Sequence, residues 1–76
     1  MRVRIIEVRP FWGGWKVFES QGVEPFWTGD DARRQAIRYS LERSQFGRCE
    51  IRIKDAVGNV VQTIRPDLPQ TDPLII

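Results

Sequence analysis

The chemical reach of this 76-residue chain is set by a single thiol, Cys49, and by the lack of any histidine. With no imidazole there is no customary base for a serine or cysteine nucleophile. One cysteine supplies neither an internal disulfide nor a zinc ligand set. Ser20, Ser40 and Ser44 have no evident base beside them. Glu7, Glu19 and Glu24 are the carboxylates that neighbouring strands would bring together for acid–base work. Gly13, Gly14, Gly22 and Gly29 do not spell the G-x-x-x-x-G-K-[ST] loop that cradles phosphate. These residues point away from catalysis, and no metal or cofactor is expected.

The stronger signal is aromatic. Phe11, Trp12, Trp15, Phe18, Phe26 and Trp27 crowd into one stretch, interleaved with Lys16 and preceded by Arg9. Aromatic rings supply large contact areas and attract cations, and they stack on bases. Ten of the twelve cations are Arg, whose planar fork fits carboxylates, phosphates and aromatic faces. A recognition surface accounts for this composition better than a catalytic cleft. The net charge of +2 is low for a protein that neutralises many phosphates.

Positioning such a surface falls to elements legible from periodicity. Residues 2–9 (RVRIIEVR) are β-branched and end at Pro10, predicting a strand with apolar side chains on both faces: Val3 and Ile5 on one, Ile6 and Val8 on the other. Phe11-Trp12-Gly13-Gly14 reads as a turn, and residues 15–20 (WKVFES) as a second strand. After Gln21-Gly22, residues 23–27 form a short third strand in which Pro25 suits an edge or the strand's end. The period then changes from 2 to 3.6. Thr28-Gly-Asp-Asp31 has the form of a capping box, and a helix is predicted over about 30–45, ending near Gly47. Ala32, Ala36, Ser40 and Ser44 make a ridge of small side chains on which Trp15 and one of Phe26 or Trp27 would pack, beside an inward stripe that includes Ile37 and Leu41. Arg38 and Glu42 are spaced to pair on the outer face.

Residues 48–54 (RCEIRIK) give the cleanest alternation, with Cys49, Ile51 and Ile53 inward and Arg48, Glu50, Arg52 and Lys54 outward. Asp55–Asn59 is a hairpin loop with Gly58 placed for a bulge, and residues 60–65 return as a fifth strand. The fold class is therefore α+β, in the order β-β-β-α-β-β, with one antiparallel or mixed sheet and a single helix on one face. Residues 1–65 form the domain, and 66–76, with three prolines and no periodicity, form a largely disordered tail ending in Leu74-Ile75-Ile76. A domain this small buries only about 60% of its unfolded surface. Unusually good packing and self-association are the remaining ways to reinforce it without a disulfide or metal. No stretch is long and apolar enough for a membrane span, so no membrane partner is expected. Arg2 and Arg4 open into a strand pattern rather than a signal peptide, and a lone thiol suits a cytoplasmic location.

One helix covers one face of a sheet, so part of the aromatic surface is left for a partner. Ile6, Val8, Phe11, Trp12 and Phe18 are the candidate interaction surface, with a homodimer as the expected assembly and another protein as the alternative partner. Two resemblances bear on this. Gly14-Trp15-Lys16-Val17, Trp27-Thr28, Ala32 with Ala36-Ile37, and Ile51–Asp55 with Gly58-Asn59-Val60 resemble a family of small uncharacterised bacterial domains. That family has a W-x-V strand, a capped Ala-rich helix and an I-x-I hairpin. The likeness spans roughly residues 3–65 and implies the fold, with no functional residue to carry over. Residues 14–37 also resemble the β-β-β-α DNA-binding domains of integrase arms and AP2-type factors, whose sheet enters the major groove. That resemblance implies nucleic-acid contacts at Arg4, Arg9 and Lys16.

Overall fold

Five strands and one helix follow one another in the expected order in the computed structural model, which describes residues 3–66. The tail expected beyond Pro66, with its apolar Leu74–Ile76 end, lies outside the described residues. The strands are β1 (Arg4–Phe11), β2 (Gly14–Phe18), β3 (Phe26–Thr28), β4 (Cys49–Lys54) and β5 (Val60–Ile64), and the helix α1 is Ala32–Arg43. They form one mixed sheet in the order β3-β2-β1-β4-β5. The first three strands make the antiparallel meander that their short connections dictate. β4 then returns beside β1 in parallel, after the crossover through α1.

This parallel pairing decides which face of β1 is inside. Ile6 lies opposite Ile51 and Val8 opposite Ile53, while Val8 also faces Val17 across β2. All five are fully buried, with Ala36 of α1 and Cys49 packed in the same cluster. Burying one such Ile contributes about 2–3 kcal/mol. Ile6 and Val8 are therefore core residues rather than part of an exposed interaction surface. The other apolar pair, Val3 and Ile5, is the one left outside.

α1 lies across β1, β2 and β3. Its small ridge is realised in Ala32, Ala36 and Ser40, all buried, and the Ser40 hydroxyl donates to the Ala36 carbonyl oxygen at 3.0 Å. Trp15 and Trp27 sit opposite each other on adjacent strands and pack against this core, so Trp27 rather than Phe26 meets the helix. Tyr39 joins them, its ring 5.4 Å from that of Trp27. Leu41, expected inward, is exposed. The helix is also shorter than its sequence pattern: Asp31 is its N-cap without a side-chain capping bond, and its carboxylate instead accepts from Arg34 at 2.6 Å. At the other end a 3-10 turn, Ser44–Phe46, leads to Gly47, whose φ of 144° ends the helical path.

Candidate interaction surface

The sheet face turned away from α1 is where the expected aromatic and cationic residues can be compared. Alternation places Ile5, Glu7, Arg9 and Phe11 of β1 on it, beside Lys16 and Phe18 of β2, Phe26 of β3, and Glu50, Arg52 and Lys54 of β4. Arg9 and Lys16 are direct cross-strand neighbours. Each lies over a ring: the Arg9 guanidinium is 4.0 Å from the Phe18 centroid, and the Lys16 ammonium is 4.2 Å from that of Phe11. Lys16 also pairs with Glu24 at 3.1 Å, and Lys54 with Glu7 at 3.1 Å. Phe18 is thus half-buried beneath a cation rather than an open apolar patch.

Glu50 departs from its expected solvated position. It is buried on this face, with Arg65 Nη2 2.7 Å from its Oε1 and Arg52 Nε hydrogen-bonded to its Oε2. The bonds from Arg52 and then Arg65 hold its carboxyl below the usual carboxylate range. The simple alternation of β4 shows which way Glu50 points, but not that its own arginines cover it.

One corner of the face is not capped in this way. β1 and β2 join through a two-residue turn, Trp12-Gly13, with Phe11 and Gly14 still in the strands. Both turn residues have positive φ, 48° for Trp12 and 76° for Gly13. Such turns normally carry Asn, Asp or Gly, because a Cβ in the left-handed region meets the following carbonyl. Here the first position holds a Trp that is 85% exposed. The Trp12 and Phe11 rings stand edge to face at 6.1 Å, and Phe11 and Phe26 likewise at 5.8 Å. Beside them, across a shallow groove of about 430 Å³, is the β4–β5 loop, where Val57 is also exposed. Asp55 shapes that loop by accepting from the Val57 and Asn59 amides. Gly14 keeps the corner tight: a Cβ there would collide with the Trp27 carbonyl oxygen.

Of the three candidate nucleic-acid contacts, Arg4 is separated from the other two. It points to the helix side of β1, where Nη2 donates to the Arg43 carbonyl oxygen at 3.0 Å and Nη1 lies 3.4 Å from Glu19. Glu19 is the hub of that region. Arg43 Nε donates to its Oε1 at 2.7 Å and the Tyr39 hydroxyl to its Oε2 at 3.2 Å. Burial pushes the Glu19 carboxyl up, but the bonds from Arg43 and Tyr39 and the charges of Arg43 and Arg4 outweigh it, so the group lies below its ordinary value. Tyr39 is moved the other way, first by burial and then by the anionic partner. Nothing in the sequence around Glu19 distinguishes it from Glu7 and Glu24. All three reach one groove of about 350 Å³, each paired with its own cation.

Cys49 is buried, as its inward position on β4 predicts. Among the described residues no group of His, Cys, Asp and Glu is arranged to hold a metal ion, and no helix is long and apolar enough to cross a membrane. No protein-family model matches the chain, and neither a curated protein nor a solved structure shows significant similarity to it.

Proposed function

We propose that this chain is a non-enzymatic interaction module, working as a self-associated pair in the cytoplasm and presenting the aromatic corner of its sheet to a protein partner. Trp12 carries the reading. Its backbone costs about 1 kcal/mol in the left-handed region, and its ring is left in water. A turn selected for stability alone would hold Asn there. Strain and exposure together are what a contact residue shows when its role lies outside the domain. Glu19 supports the non-enzymatic half through its contacts: its carboxylate is taken up by Arg4, Tyr39 and Arg43, as a tie between sheet and helix.

A second reading, nucleic-acid binding through the same face, is favoured by one observation, the adjacency of Arg9 and Lys16 beside Phe11 and Phe18. The helix behind this part of the sheet suits the outline of the β-β-β-α DNA-binding domains. Arg4 has no part in this reading.

Both are tested by placing p-benzoylphenylalanine at position 12 and, as a control, at the exposed Arg34 of α1, then irradiating expressing cells. A protein adduct from position 12 and none from position 34 is expected. A nuclease-sensitive adduct would move the assignment to the second reading, and no adduct from position 12 would refute both.

A further inference from the structure

The two edges of the sheet are protected very differently. β3 is three residues long and follows Pro25, so it offers a partner almost no backbone. β5, Val60–Ile64, is the opposite case. It is the longer edge, its sequence VVQTI contains no charge and no proline, and its first four side chains are exposed. α1 lies across β1–β3, at the other side of the sheet. Among the described residues, β5 pairs only with β4. Charged side chains, proline and short length are usual means of preventing a strand from adding to such an edge, and β5 has none of them. Its bulge, at Val61, lies towards the β4–β5 loop and leaves Gln62–Ile64 in regular register.

The ladder also shows which β5 groups face outward. The Arg4 amide donates to the Arg48 carbonyl, and the Asp55 amide to the Asn59 carbonyl. Even-numbered residues of β4 therefore address β1, and odd-numbered ones address β5. Ile53 lies opposite Gln62 and Ile51 opposite Ile64. Gln62 and Ile64 consequently spend their amides and carbonyls on β4, and those of Thr63 point away from the sheet.

We propose that two copies of this chain pair antiparallel through the outer edge of β5, centred on Thr63, so that the sheets of the two copies run together as one. The proposal rests on the self-association half of the reading above and names the surface that holds the pair. The edge is self-complementary. With Thr63 opposite its counterpart, each copy gives and receives one amide–carbonyl bond at the axis, and Gln62 faces Ile64. Cross-strand threonines and β-branched neighbours suit an antiparallel pair. No like charges are brought together at the centre, since the edge has none. The pairing extends a small core and leaves the Trp12 corner, at the far end of β1, free for another protein.

Sedimentation equilibrium of the full chain at high micromolar concentration is expected to give twice the chain mass. In hydrogen exchange the Thr63 amide should be protected in the concentrated sample and exchange quickly on dilution. Thr63→Pro removes the outward donor, which takes no part in the ladder to β4, and should halve the mass. Val61→Lys, which places a charge at the edge without touching the ladder, should do the same if the proline variant unfolds. A dimer whose Thr63 amide exchanges freely, or whose mass survives both substitutions, would overturn the edge while leaving self-association standing. A wild-type monomer would overturn both, and the crosslink at position 12 would still judge the aromatic corner separately.

Discussion

Glu19 offers the sharpest test of how the helix is tied to the sheet. Its side chain is 3% exposed and bonded to Tyr39 and Arg43 of α1 and to Arg4 of β1, so one carboxylate just beyond β2 ties the helix to the sheet. Glu19→Gln removes the charge and keeps the volume. Removing one partner of a fully buried ion pair costs about 3–5 kcal/mol, whereas fully exposed pairs are worth about 1 kcal/mol or less. Arg4 and Arg43 are 37% and 41% exposed, which puts the expected loss between these limits, at about 2 kcal/mol. For a domain of this size that is a fall in Tm of roughly 8–16 °C. The pH dependence supplies an independent readout. The folded carboxyl lies below its ordinary value of 4.5, so the unfolded chain takes up the proton first. The stabilisation is complete above about pH 4.5 and is lost as pH falls through the folded value. Glu50 is depressed as well, and the variant should therefore keep a shallower acid limb rather than none. Urea unfolding followed by Trp fluorescence at pH 7, 5, 4 and 3 measures both effects. A variant within 0.5 kcal/mol of wild type at pH 7 (roughly the scatter of neutral surface changes), or an unchanged acid limb, would refute the reasoning.

Two further substitutions probe the corner. Trp12→Asn should raise stability by about 1 kcal/mol, because Asn tolerates the left-handed turn, and a lower urea midpoint would show that the indole is held by the domain itself. Gly14→Ala should destabilise by about 3 kcal/mol or prevent folding, since its Cβ would meet the Trp27 backbone rather than a movable side chain. Wild-type stability for Gly14→Ala would mean that β2 and β3 are further apart than described.

The elements were legible because each carries its own local period. The alternation of Cys49, Ile51 and Ile53 identified their buried face, and Ala32, Ala36 and Ser40 identified the packing ridge of α1. The inside of β1 was not legible. Ile5 and Ile6 are adjacent and chemically alike, and the choice between them is made by pairing with Ile51 and Ile53, far along the chain. No local pattern reports such a contact. That is why the sequence pattern leaves Ile6 and Val8 open to solvent while the fold buries them, whereas the exposure of Phe11 and Trp12 follows from the turn at that end of β1. Glu19 and Glu50 were hidden for the same reason as β1. The arginines of Glu19 come from β1 and α1, and the pair on Glu50 is completed by Arg65 from beyond β5; in sequence Glu19 and Glu50 are two acidic residues among ten.

The cations that interleave the aromatics change what the open face can bind. From sequence, Phe18 beside Arg9 and Lys16 looks like a stacking platform next to phosphate-gripping groups. In the fold the Arg9 guanidinium already occupies the Phe18 ring and the Lys16 ammonium that of Phe11. A base stacking on either ring must first displace a cation worth about 0.5–1 kcal/mol at an exposed site. A phosphate must draw Lys16 away from Glu24. Trp12 has no cation over it among the described residues, and the Phe11 ring stands against it from one side. A partner therefore meets Trp12 without first undoing a contact of the fold. Under the proposed reading this asymmetry favours recognition at the corner over recognition across the whole sheet, and it is why the crosslinking test is placed at position 12.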